Sequence, residues 1–278
     1  MFPNPLDYAD LPAIRTNTLD DTPFTKEEIA IVIKNLHKGK ALGPDGIGNI
    51  IIQQINKRFP ILLMELLIKC LHLGTFPDPL KLGNIILFKK EGKPEDEASS
   101  YRPISLLPTI GKVLEKLLNQ RSIYHLERLN KISDNQCGFR EGRSTELAIH
   151  HLIQKISESK KKNPHVVVLS IDIKDASGNI QHSSIVNYLD NSHCPKNIST
   201  IFRNLLLNRK IILNSSELPA IRDQKMVWPQ GSCSGPAHWN LVSNEILREI
   251  WPENTAIQAF ADDFVIISHA PTKIKIGY

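Results

Sequence analysis

Cysteine is scarce and scattered in this chain. Cys70, Cys137, Cys194 and Cys233 are the only four in 278 residues, and no two form a C-x-x-C pair. That spacing signals neither a zinc site nor a disulfide framework and favours a reducing, intracellular setting. Long apolar runs are also missing. The longest, Ile61 to Ile68, is broken by Glu65 and falls far short of the ~20 residues a membrane span requires. Met1-Phe2-Pro3-Asn4-Pro5 has neither the charged start nor the apolar core of a secretory signal, and no internal repeat is found. The expectation is a soluble protein of the nucleus or cytoplasm, neither secreted nor membrane-bound.

What is present is enough apolar material, 41% of residues, to build one large domain or two small ones. Lys and Arg outnumber Asp and Glu by 34 to 29, giving a formal charge of +5. That balance suits a polyanionic partner without demanding one.

Residues 1–24, rich in Pro, Asp and Thr, read as a loose lead-in. Thr25 with Glu28 forms a capping box ahead of a helix carrying Ile29, Ile31, Ile33 and Leu36. Gly43-Pro44-Asp45-Gly46 is a turn, and residues 47–72 resume as helix. A short strand over 84–88 runs into Lys89-Lys90, followed by a charged loop over 91–100. An amphipathic helix over 110–126 has Val113, Leu114, Leu117 and Leu118 on its apolar side. A second helix over 144–157 is closed by Lys160-Lys161-Lys162, a solvated end favoured by the helix dipole. Residues 166–173 read as a buried strand, 183–190, 197–207 and 237–249 as helices, and 209–228 as a hairpin. Residues 256–267 read as strand, acidic tight turn, strand. Helices and strands of unequal length in irregular order predict an α+β or mixed α/β class.

Two apolar segments in this pattern stop on acids: Ile171-Asp172, and Phe260-Ala261-Asp262-Asp263. A buried carboxylate must be paired, hydrogen-bonded or bound to a cation. Two such segments suggest strands of one sheet that bring their acids together around a divalent metal. A plain hairpin turn, which Asp tolerates well, is the alternative for the pair alone.

Further segments bear on that choice. Lys40-Ala41-Leu42-Gly43-Pro44-Asp45-Gly46-Ile47 is followed by Tyr101-Arg102-Pro103-Ile104-Ser105-Leu106-Leu107-Pro108. Gln136-Cys137-Gly138-Phe139-Arg140 with Gly142-Arg143-Ser144-Thr145 comes next. The Asp172 strand, Pro229-Gln230-Gly231-Ser232-Cys233-Ser234-Gly235-Pro236 and the Asp pair complete the series. Over residues 25–270 the chain resembles the reverse transcriptase domain of a non-LTR (LINE-like) retrotransposon, with six boxes in the family's order.

The resemblance implies an α+β right-hand polymerase fold, with fingers over 25–164, palm over 165–278 and the thumb missing. It implies an RNA-directed DNA polymerase that joins dNTPs to a DNA primer on an RNA template with Mg2+, Mn2+ being a possible substitute. Asp172, Asp262 and Asp263 would be catalytic and hold metal, with the Ile173 carbonyl as a further ligand. Arg102, stiffened by Pro103, would clamp the triphosphate, helped by Lys89 and Lys90. Gln230 would present its amide to the incoming nucleotide. Gly138, Arg140 and Arg143 would let a loop approach the template backbone, giving affinity without sequence preference.

The match departs from the family in three places. Ala176-Ser177-Gly178-Asn179 stands where Ala-Phe-Asp-Asn is usual, so Ser177 replaces the ring that excludes a 2′-hydroxyl, and poor selection against ribonucleotides is expected. Val227-Trp228 stands where a Gly and a small residue usually precede Pro-Gln-Gly. Fifteen residues follow Asp263, too few for a thumb, and the residues before the fingers are too few for an endonuclease, so a fragment or decayed copy of a larger polyprotein is expected. An inactive relic that keeps the fold, and an RNA-binding module, are the competing readings.

Overall fold

The computed structural model describes residues 19–173, 180–213, 219–224 and 231–272. These fall into two compact units, one built from segments up to Leu126 and from Ile180–Gly235, the other from Glu127–Asn179 and from Pro236 onward. Both mix helix and sheet, so the chain is α+β.

In the first unit, α1 (Lys26–Lys34) starts as its sequence dictates. The Thr25 hydroxyl accepts from the Glu28 N–H while the Glu28 carboxylate accepts from the Thr25 N–H. Helices α2 (Asn49–Arg58) and α3 (Pro60–His72) follow. The single helix expected over 47–72 is thus two, because Pro60 has no N–H to continue α2 and instead occupies the first turn of α3. Helix α4 (Thr109–Arg128) buries Val113, Leu114, Leu117 and Leu118. Helices α6 (His182–Asn191) and α7 (Lys196–Leu206) complete the helical set.

The sheet of this unit has the order β2-β1-β4-β5. Its strands are β1 (Leu82–Lys89), β2 (Tyr101–Leu106), β4 (Lys210–Leu213) and β5 (Ala220–Asp223). Strand β2 lies where no strand was expected, and it accommodates Pro103 because it is the sheet edge, where a missing N–H breaks no inner ladder. The β4–β5 hairpin joins the sheet by a parallel pairing of β4 with β1, Leu82 opposite Lys210.

Residues 19–24 are tied to this unit. Phe24 is buried, and the Asn197 side chain exchanges two hydrogen bonds with the Asp21 backbone. Arg121 on α4 grips Glu28 with two bonds of 2.7 and 2.8 Å, adds Asp21 at 3.1 Å, and lies over the Phe24 ring. Burial alone would raise the Glu28 carboxyl, but the Arg121 and Thr25 hydrogen bonds outweigh it and hold its pKa below the usual carboxylate range. The unfolded chain therefore takes up that proton at higher pH than the native one. The stabilisation is present above the ordinary carboxylate range and lost as pH falls through the lower native value. Arg121→Ala should cost about 3 kcal/mol in urea unfolding at pH 7, and the deficit should shrink below pH 4. An equal deficit at both pH values would count against the ion pair as its source.

The second unit carries α5 (Thr145–Lys162) and α8 (Gly235–Leu247) with a three-stranded antiparallel sheet ordered β3-β7-β6. Its strands are β3 (His165–Asp172), β6 (Thr255–Phe260) and β7 (Asp263–Ala270). The Lys160-Lys161-Lys162 run forms the last turn of α5. The buried strand expected over 166–173 is instead a sheet edge, with Val167, Val168 and Leu169 45–52% exposed. An unbroken β-branched run reports strand propensity, not which neighbours cover it.

Candidate active site

Strands β3 and β7 run antiparallel, and their register sets Asp172 directly opposite Asp263. Directly opposed residues project from the same sheet face, with Cβ atoms about 4.5–5.5 Å apart. Both acids are exposed. Ile173, the next residue after β3, is half-buried.

Phe260 pairs with Asp263, so Ala261 and Asp262 form a two-residue hairpin loop. Ala261 lies at φ 58°, a conformation that costs a side-chain-bearing residue about 1–2 kcal/mol. Its surroundings hold it there. The Gln136 side chain, fully buried, accepts from the Ala261 N–H at 3.0 Å and donates to the Ala261 carbonyl at 3.1 Å. The same amide accepts from the Gly138 N–H and donates to the Ser243 hydroxyl. The Trp239 indole donates a second bond to the Ala261 carbonyl, at 2.7 Å.

Around Gln136 the backbone runs parallel to β6, with Cys137 N–H bonded to the Ala259 carbonyl and Ala259 N–H to the Asn135 carbonyl. Lys155 from α5 donates to Asn135 and to the Ile257 carbonyl, and its burial pushes the ammonium pKa down. A Cβ on Gly138 would lie 2.1 Å from the Ala261 nitrogen. The Gln-Cys-Gly box is therefore the seat of the acidic turn.

Arg140 is also turned inward. Its guanidinium makes two bonds to Glu127, at 2.9 and 2.7 Å, and donates to the Ser133 and Gln136 carbonyls, leaving the side chain 7% exposed. Arg143 bonds Asp134 at 3.1 Å.

In the first unit, Arg102 stands on β2 opposite Phe88. It is exposed, and its guanidinium makes no ion pair or hydrogen bond to another described residue. Lys89 pairs with Glu95, and Lys90 donates to the Ser99 carbonyl. Gly43 packs where a Cβ would meet the Leu107 carbonyl carbon at 2.7 Å, and Gly231 where a Cβ would meet the Ser105 carbonyl oxygen at 2.6 Å. Three of the sequence boxes thus share one seat at the end of β2. Ser177 and Gln230 lie outside the described residues.

The reverse transcriptase (RNA-dependent DNA polymerase) family profile matches residues 88–277. The chain belongs to the reverse transcriptase family, as a domain of the non-LTR retrotransposon type. It is 29% identical over 249 residues to the putative 115 kDa protein in type-1 retrotransposable element R1DM of Drosophila melanogaster, covering 86% of this chain and 23% of that protein. Identity is 31% over 248 residues with the Pol polyprotein from type-1 retrotransposable element R1 of Bradysia coprophila, covering 89% and 24%. It is 26% over 250 residues with the RNA-directed DNA polymerase from mobile element jockey of Drosophila melanogaster, covering 88% and 27%. The chain spans about a quarter of the length of these relatives.

Reverse transcriptases work with divalent metal ions, and the donor set here suits magnesium. The ion takes hard oxygens, ordinarily one or two carboxylates plus substrate phosphate and water, and Asp172 and Asp263 face each other as such a pair. The described residues hold no group of three His, Cys, Asp or Glu gathered to bind an ion by protein alone. No described helix is long and apolar enough to cross a membrane. Gln136 and Trp239 escaped sequence reasoning as site residues because their work is done through the backbone of Ala261. For Gln136 the one signal was its place at the head of a family box.

Proposed function

We propose that this reverse transcriptase domain is an RNA-directed DNA polymerase that extends a DNA primer on an RNA template from dNTPs. The register that sets Asp172 against Asp263 beside the Ala261-Asp262 turn carries the reading. In the reaction the primer 3′-oxygen attacks the α-phosphorus of the dNTP and a new P–O bond forms, while the bond from that phosphorus to the bridging oxygen breaks, pyrophosphate departs and the hydroxyl proton passes to solvent water. Divalent ions, when bound, supply charge stabilisation for the attacking and leaving oxygens. Asp172, Asp263, Asp262 and the Ile173 carbonyl would furnish the oxygens that hold them.

Arg102, whose guanidinium has no partner among the described residues, holds the triphosphate in the bidentate manner of a guanidinium. Lys89 and Lys90, already engaged, add charge nearby. Gln230 and Ser177, both outside the described residues, are assigned by the family boxes to the incoming nucleotide and its sugar. Gly138 and Arg140 serve the template through the shape of the loop they fix, with Arg143, bonded to Asp134, in the same loop. The fold on this reading is the right-handed polymerase, with fingers in 25–164 and palm in 165–278. Its place of action is intracellular.

A catalytically inactive relic is the second reading, favoured by Ser177 and Gly178 in place of the family's aromatic and acid. Primer extension on a homopolymer RNA template, with dNTPs and rNTPs in parallel, decides. DNA product from wild type and none from Asp262→Asn is expected, with rNTPs also incorporated because Ser177 leaves the 2′-hydroxyl unopposed. A hydrophobic wall supplies only about 100-fold discrimination against an added hydroxyl. Absence of wild-type product would establish the relic, and strong deoxy preference would remove Ser177 from the sugar contact.

A further inference from the structure

We propose that Glu115, in the middle of α4, is a positioning residue that anchors the loop after Pro229-Gln230-Gly231 and so sets how Gln230 meets the nucleotide. This rests on the nucleotide-facing role of Gln230 proposed above. Glu115 is 1% exposed among Val113, Leu114, Leu117 and Leu118, a place where a carboxylate requires compensation. No ion pair supplies it among the described residues. The compensation comes from the loop: the Ser232 and Ser234 hydroxyls and the Ser234 N–H all donate to one Glu115 oxygen, the last at 3.1 Å.

One turn along α4, Asn119 donates to the Cys233 carbonyl at 3.4 Å, and one turn back the Lys112 carbonyl accepts from the Cys233 thiol at 3.8 Å. Residues 112, 115 and 119 thus form a rail along one face of α4. Gly231, at φ 115°, is pressed on the Ser105 carbonyl at the other end. The residues just after Gln230 therefore pass close against β2 at Gly231 and are bonded to α4 beyond it, with Glu115 as the fastener. A buried anion held by neutral donors ranks the loop's bound conformation above any released one. Release would strand the carboxylate without partners.

Cys233 gives a readout of anchoring that needs no catalysis. Its thiol is pushed up to about 12, first by burial and then by the Glu115 charge, and it is the one cysteine that is not fully buried. Freeing the loop exposes the thiol and raises its thiolate fraction. The variants are Glu115→Met, which removes the acceptor without leaving a buried charge, and Glu115→Gln, which keeps an acceptor oxygen.

In the 278-residue chain, Glu115→Met should speed Cys233 labelling by a disulfide reagent at least ~10-fold, with Glu115→Gln close to wild type and Cys233→Ser identifying the signal. In primer extension Glu115→Met should raise the dNTP KM about 10- to 100-fold, the usual scale for losing an orienting partner, with kcat little changed and Gln restoring it. Ser232→Ala should move both readouts the same way and serves if Glu115→Met does not fold. Unchanged labelling and KM in a folded variant overturn the proposal, as does a fall in kcat alone. If wild type yields no product, the polymerase reading fails, and the labelling rate by itself upholds or overturns the anchoring.

Discussion

Gly138→Ala is expected to destabilise the second unit by about 3 kcal/mol or more and to cut nucleotide incorporation by roughly 100-fold, as a 1 Å misplacement can. The added methyl carbon would stand 2.1 Å from the Ala261 nitrogen, 2.7 Å from its Cα and 2.9 Å from the Phe260 carbonyl carbon. All three are backbone atoms, so no rotamer change relieves the clash. Either the 136–138 segment backs away and Gln136 loses its grip on Ala261, or the acidic turn moves. Gly142→Ala is the matched control. It sits at φ 74° with open space around its Cβ position, so it should cost only about 1 kcal/mol of backbone strain. Urea unfolding and single-nucleotide incorporation measure both effects. Equal losses for the two variants would show that close approach at the turn is not what Gly138 is for.

Asp263→Asn and Asp172→Asn should move stability and activity in opposite directions. Two carboxylates directly opposite each other repel, so neutralising either should stabilise the metal-free protein by a few tenths to about 1 kcal/mol. The same changes should lower incorporation on the order of 10³-fold, because a carboxylate ligand is lost where charge develops. Adding Mg2+ should raise the melting temperature of wild type, since a ligand bound only by the native state stabilises it by mass action. Both Asn variants should respond less. Melting in chelator and in Mg2+, beside primer extension, gives the full pattern. If the Asn variants melt lower in chelator, the acids are held by something other than mutual tolerance. Retained activity would remove the pair from the chemistry.

Local signals in the chain proved legible where the physics is local. Thr25 and Glu28 cap α1 because the two residues satisfy each other's backbone donors with no outside help. The strand–turn–strand over Phe260-Ala261-Asp262-Asp263 follows from β-branched runs around a two-residue loop. Pro60 and Pro103 were harder. Each could break an element or tolerate one, and only helix order and sheet position decided: Pro60 opens α3, and Pro103 rides an edge strand. Exposure of β3 was likewise invisible, since Val166 to Ile171 would read the same at a sheet centre.

What the residue order determined unaided is the inventory: the reverse transcriptase boxes, their succession, and three aspartates, two at strand ends and one in a tight turn. Which of these residues touch one another is a matter of long-range closure. Tertiary structure alone set Asp172 opposite Asp263 and brought β4 beside β1 from far along the chain. It alone turned Arg140 onto Glu127 while leaving Arg102 open, and put Gln136 around Ala261 and Glu115 under Ser234. The physical reason is the same throughout. A buried polar side chain is defined by the partners that satisfy it, and those partners lie up to 176 residues away, beyond the reach of any local pattern.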